Sequence, residues 1–276
     1  MAAAGRWVLN FLPGWMRGMI TRPGRLILVN SVVRARPIHH LIVADAPKWV
    51  LDSIDRGCKA FFWAGSEEIH GGKCLVAWKR VCRPKELGGL GVIDLRTQGV
   101  ALRLRWEWLR RTDPSKPWQG LAMSVDKEMQ TAFASLVHWK IGDGNRVLFW
   151  KDRWVSGLRI AEIAPLVFGM VRTQTVNRRS AREGLLLSNW INDIKGELST
   201  EGLVQFIRLW EILSELILDA SVGDQAIWKW TASGQYSAGS AYRIMNEGAI
   251  IFGCAKGLWK CWAPWHAVYS CGWRCS

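Results

Sequence analysis

Three long amphipathic stretches and two tryptophan-studded segments assign this 276-residue chain to the α+β class, mainly α with two small antiparallel β-hairpins. Apolar residues recur at three- and four-residue spacing in 50–62, 101–109 and 203–217, the repeat that lines one face of a helix. Residues 138–154 (HWKIGDGNRVLFWKDRW) and 226–242 (AIWKWTASGQYSAGSAY) break that repeat, each reading as a strand, a glycine-containing turn and a second strand. A lone hairpin is marginal in water, so the two have reason to join in one sheet.

In chain order, residues 24–36 read as a helix with Leu26, Val29 and Val33 on one side, ended by Pro37, which disfavours helical geometry at Arg36. The next helix is expected to open at Asp45 as N-cap, with Pro47 in its first turn, and to close at Gly65. Val50, Ile54, Cys58, Phe61 and Phe62 are its core face. A short CLVAWKRVC follows the Gly71-Gly72 turn and fits strand or helix equally. In KELGGLG the glycines at 88, 89 and 91 lack both the Walker lysine and the G-x-G-x-x-G spacing, so a sharp backbone turn is expected rather than a phosphate cradle.

Residues 95–111 carry the most regular helical pattern. Ala101, Leu102, Leu104, Trp106, Trp108 and Leu109 share a wide apolar arc. Arg96, Arg103 and Arg110 recur every seven residues opposite it, beside Arg111, with Glu107 placed to neutralise Arg103 in part. The arginine row fits either a solvated face or one that contacts a nucleic-acid backbone. Residues 113–117 hold two prolines and read as a linker. A helix capped by Asp126 leads into the first tryptophan segment, and 172–182 reads as an exposed basic linker. The third long helix, capped by Thr200, presents Leu203, Phe206, Ile207, Trp210, Leu213 and Ile217 as its buried stripe. Ser237 or Ser240 then opens a short helix with Tyr242 and Met245.

Composition narrows the function. Forty-nine per cent apolar residues exclude a disordered tail, and no apolar run reaches the roughly 18 residues of a membrane helix, so no membrane partner is expected. A net charge of +14 favours polyanions through counterion release. Nineteen tryptophans supply core anchors, and some could stack on unpaired bases. Seven cysteines without a secretory pattern point to free thiols inside the cell, nuclear or cytoplasmic. Residues 1–44 are acid-free like a transit peptide but contain one serine, Ser31, and read as folded domain.

Catalytic chemistry finds little support. No Asp-Asp pair occurs, and the sole adjacent acids, Glu67-Glu68, sit in a polar turn. Asp143-Gly144-Asn145 begins like a calcium loop, but Val147 occupies the next ligand position. His39-His40 lack an accompanying nucleophile and read as structural or solvated. No catalytic residue and no metal ligand is assigned.

The two tryptophan segments, together with CLVAWKRVCRPKELGGLGV (74–92) and LWKCWAP (258–264), resemble the C-terminal region of plant non-LTR (LINE-type) retrotransposon reverse transcriptases. That region lies beyond the polymerase site and leads into the reverse transcriptase zinc-binding segment. The resemblance implies a thumb-like helical region in 1–112 that lies against template–primer, a connector in 118–264 and a divergent tail in 265–276. It also implies partners, a template–primer backbone and the other domains of a retroelement polymerase; the arginine row Arg96, Arg103, Arg110 and Arg111 is the candidate contact to RNA or DNA backbone. The paired aspartates of that family lie upstream of the similar region, so a non-catalytic fragment is expected, with a protein-interaction module or an inert remnant as alternatives. Cys254, Cys261, His266, Cys271 and Cys275 match no paired zinc-knuckle spacing, so neither zinc nor any other cofactor is expected.

Overall fold

The structure, a computed structural model, describes residues 19–66, 74, 76–112 and 127–246. The expected linker 113–117, the Glu67-Glu68 and Gly71-Gly72 turns, the Asp126 cap and the C-terminal cysteines lie outside these residues. The α+β class is borne out: short and long helices dominate, with one two-stranded antiparallel sheet among the described residues. The chain forms two compact units, Met1–Arg103 with Ala238–Ser276, and Leu104–Ser237.

In the first unit, α1 (Arg22–Leu28) runs into a π-helical turn, Val29–Val33, that buries Val29 and Val33. After α2 (Ile38–Val43), α3 (Lys48–Ala64) supplies the centre of the core through Leu51, Ile54, Cys58, Phe61 and Phe62. Asp45 is not its cap. Pro47 takes that position, and the Asp45 carboxylate instead pairs with Arg103 at 2.9 Å. Gly65 closes α3 in the left-handed region, φ 68°, and its N–H donates to the Phe61 carbonyl at 2.9 Å.

Within CLVAWKRVC the described helix is α4, Trp78–Val81. The glycine turn after it has a steric cause, since a Cβ on Gly89 would lie 1.9 Å from the Arg83 carbonyl oxygen. The Asn30 side chain then holds the outgoing strand-like segment, donating to the Gly91 carbonyl at 3.2 Å and accepting from Ile93 N–H at 3.4 Å. Asp94 starts α5 (Leu95–Thr112), accepting from the Arg96 N–H at 3.0 Å and the Thr97 hydroxyl at 3.2 Å.

The second unit begins within α5. After α6 (Lys127–Leu136) the chain enters β1 (Val137–Lys140) without a break. Four short helices follow: α7 (Ile160–Ile163), α8 (Pro165–Gly169), α9 (Thr173–Val176) and α10 (Ala181–Leu185). The stretch 172–182 is therefore structured rather than a linker. Ser180 caps α10, and its backbone bridges to Leu148. A 3₁₀ segment, Leu186–Asp193, leads to α11 (Thr200–Ser214). Ser199, not Thr200, caps α11, accepting from Gly202 N–H at 3.1 Å.

The buried line of α11 is Gly202, Leu209 and Leu213, while Leu203, Ile207 and Trp210 are exposed. Apolar residues surround this helix almost completely, so its periodicity does not choose the inward face. Ile217 lies past the helix end and is solvent-exposed.

Each tryptophan segment contributes one strand, not a hairpin. β1 pairs with β2 (Gln225–Trp228) antiparallel, Val137 opposite Trp228 and Lys140 opposite Gln225. The pleat puts Val137, Trp139, Ala226 and Trp228 inward. Trp228 stacks on Phe133 at 5.9 Å between centroids and meets Tyr236 edge-on at 4.9 Å. A second aromatic cluster gathers Phe149, Trp150, Trp154 and Trp190, with Trp150 Nε1 donating to Asp193 at 2.9 Å and Trp154 Nε1 to the Phe149 carbonyl at 2.8 Å. The last described helix, α12 (Ala238–Ile244), opens just after Ser237 as expected and belongs to the first unit. There Tyr242 accepts the Asp94 N–H at 3.0 Å.

Candidate nucleic-acid interface

The four arginines of α5 do not form one exposed row. Arg96 pairs with Asp52 and is half exposed. Arg103 is 3% exposed, its guanidinium turned to Asp45, so the seven-residue recurrence includes a buried position. Arg110 and Arg111, at the end of the helix, are brought together in the second unit.

These two line a cleft of about 320 Å³ with Arg146, Lys151, Trp139, Leu148 and Asp152. The last turn of α5 delivers Arg110 and Arg111. The loop after β1 delivers Arg146, whose guanidinium donates to the Arg111 carbonyl and so places a cation at the negative end of the helix dipole. The tight turn after Trp150 adds Lys151, whose ammonium reaches Asn177 Oδ1 at 3.1 Å. Arg111 sits 3.6 Å from Asp152 and 5.3 Å from the Phe133 ring centre, held from two sides. Arg110 bonds Glu107 at 3.0 Å, so Glu107 serves Arg110 rather than Arg103.

Four cations line the cleft with one acid, Asp152, an excess of positive charge in a concave site. Burial pushes the Asp152 carboxyl above the ordinary carboxylate value of 3.8, against the pull of Arg111 and of the Leu148 N–H. The indole N–H of Trp139, on the cleft wall, is buried without a partner. An anion offered to this site meets preorganised donors on several sides.

Arg146 and Lys151 were missed by periodicity because neither lies on a helix. Their signal is compositional: basic residues interleaved with indoles behind the Gly-Asp-Gly-Asn turn. That turn is no calcium loop. Asp143 accepts from its own neighbour, Asn145, through backbone and side chain, and these bonds hold its carboxyl below the usual range.

Other reactive groups are spent elsewhere. Burial pushes the Cys58 thiol to about 11 and the Cys82 thiol to about 12, despite the nearby Arg34 guanidinium, so both stay protonated at neutral pH. His39 and His40 are exposed on α2. Among the described residues no three His, Cys, Asp or Glu side chains converge as a metal site. No described helix is long and apolar enough to cross a membrane.

No protein-family profile matches this chain, and no solved structure matches it. It is 25% identical over 289 aligned residues to an Arabidopsis thaliana protein named "Putative ribonuclease H protein", an alignment covering 93% of this chain and 45% of that protein. The chain thus spans less than half the length of that relative.

Proposed function

We propose that this chain is a retroelement-derived polypeptide, related to the C-terminal region of plant non-LTR reverse transcriptases, that binds RNA or DNA backbone without catalysing a reaction itself. The observation that carries this is the convergence of Arg110, Arg111, Arg146 and Lys151 on one cleft of a chain with net charge +14. The likeness to a plant protein named for ribonuclease H supports the retroelement origin, because that activity also acts on a nucleic acid. The contacts are to phosphates and carry no sequence information.

Fluorescence anisotropy with labelled RNA at several salt concentrations tests this. Log affinity falls steeply against log salt, and the double variant R146Q/K151Q flattens the slope by about 0.7 per lost contact on a single strand. A salt-independent affinity, or a slope untouched by the variant, overturns the reading.

A second reading, a surface for other retroelement polymerase domains, is favoured by the exposed apolar side of α11, where Leu203, Val204, Ile207 and Trp210 remain uncovered among the described residues. Co-purification of a separately expressed polymerase domain, abolished by I207E, tests it.

A further inference from the structure

We infer that the nucleic acid held by this site is single-stranded, with one phosphate in the basic cleft and the neighbouring base paired against the free edge of β2. This rests on the proposed backbone binding and adds the form of the substrate.

A second groove, of about 560 Å³, is lined by Thr112, Arg146, Gln225, Ala226, Ala232 and Gln235, among others. Arg146 lines both it and the basic cleft, so the two share a wall. The groove runs along β2, and the hydrogen-bond pattern defines what β2 offers there. Trp139 N–H donates outward to the Arg153 carbonyl at 2.7 Å, which makes Trp139 and Ala226 a non-hydrogen-bonded pair. The N–H and C=O of Ala226 therefore turn away from β1, toward the groove. Two residues on, the outward Trp228 N–H is taken by the Gly234 carbonyl at 2.8 Å. No third strand covers Ala226 among the described residues.

An extended residue presents its donor and acceptor side by side. Every nucleobase carries an adjacent donor and acceptor on its Watson–Crick edge, so any unpaired base can complete this pair. A duplex has already used those edges, and its A-form major groove is too narrow to be entered. Apart from Arg146 and Asp224, which bond each other through backbone and carboxylate, the polar side chains of the groove, Gln225 and Gln235 among them, are uncharged and suit a base rather than a second phosphate. Asp224 fastens Arg146 N–H at 2.9 Å beside the groove, so the element joining the two subsites is fixed before any ligand arrives.

The test compares a labelled single-stranded RNA with a blunt RNA duplex of equal charge, using the full chain and the exposed-site variant A232L, which fills the groove without changing charge. The wild type is expected to bind the single strand about tenfold more tightly, and A232L to lose that preference while its duplex affinity and salt slope stay unchanged. The conservative A232S keeps the preference. Equal affinity for both forms, or a preference untouched by A232L, overturns the single-strand assignment and leaves backbone binding standing. An acidic extended peptide that competes with the RNA in the wild type but not in A232L assigns the strand edge to peptide and also overturns it. Absence of binding to either RNA at low salt removes both readings.

Discussion

The carboxylate of Asp224 accepts the backbone N–H of Gly142 at 2.8 Å across 82 residues of chain. The same carboxylate takes the N–H groups of Gly144 at 3.0 Å and Arg146 at 2.9 Å. One buried acid just ahead of β2 thereby fastens the loop leaving β1 and fixes where Arg146 stands. The return strand of the first expected hairpin is absent because its turn is spoken for by Asp224. A Cβ on Gly142 would also lie 2.1 Å from the Val222 carbonyl oxygen, so the approach requires glycine.

Asp224→Ala leaves three backbone donors without their acceptor and is expected to cost about 3 kcal/mol or more. Chemical denaturation measures the loss, and amide exchange at Gly142, Gly144 and Arg146 should accelerate together. An unchanged midpoint would remove the clamp from the account of the fold.

Asp152 links stability to pH with a defined sign. Its folded pKa lies above the ordinary 3.8, so the native state binds more protons than the unfolded chain between those two values. Its contribution to stability therefore declines as pH rises through that window and is least above it. The Asp152→Asn variant loses this dependence, so its stability relative to wild type improves from acid toward neutral pH. Removing a negative charge from the cleft should also tighten RNA binding several-fold at neutral pH, and wild-type affinity should approach that of the variant on acidification. Parallel denaturation and anisotropy series at stepped pH check both.

Gly184→Ala is expected to destabilise by about 1–3 kcal/mol, because its Cβ would sit 2.5 Å from the Phe149 ring in the aromatic cluster. A thermal melt followed by tryptophan fluorescence reads this directly. A melt equal to wild type would mean that Phe149 can yield, contrary to the packing around Trp150 and Trp190.

Leu187 points the other way. It is 90% exposed and held in the left-handed region, φ 50°, which a side chain branched at Cγ occupies only at a cost. Leu187→Gly or Leu187→Asn should raise stability by about 0.5–1 kcal/mol. A lowered midpoint in both variants would contradict this.

Local signals in the sequence were legible where one short stretch decides the outcome. Gly65 ends α3 and the 88–91 glycines make a turn because left-handed geometry involves only neighbouring residues, and α12 opens after Ser237 as the sequence suggests. The inward side of α11 was not legible, since Leu203, Ile207 and Leu213 are equally apolar and only the surfaces packed against them distinguish the three. The candidate cleft was half legible: Arg110 and Arg111 follow from the pattern of α5, whereas Arg146 and Lys151 reach it from loops.

The residues by themselves determined a basic, indole-rich, mainly helical chain and the positions of its longest helices, because charge and short-range periodicity are properties of the chain read in order. Tertiary structure alone decided that Val137–Lys140 pairs with Gln225–Trp228, that Arg103 is buried against Asp45 while Arg111 faces a cleft, and that Ala226 and Arg146 come to line one groove. Those outcomes depend on which distant groups satisfy each other's hydrogen bonds and charges, and that choice is made only when the chain closes on itself.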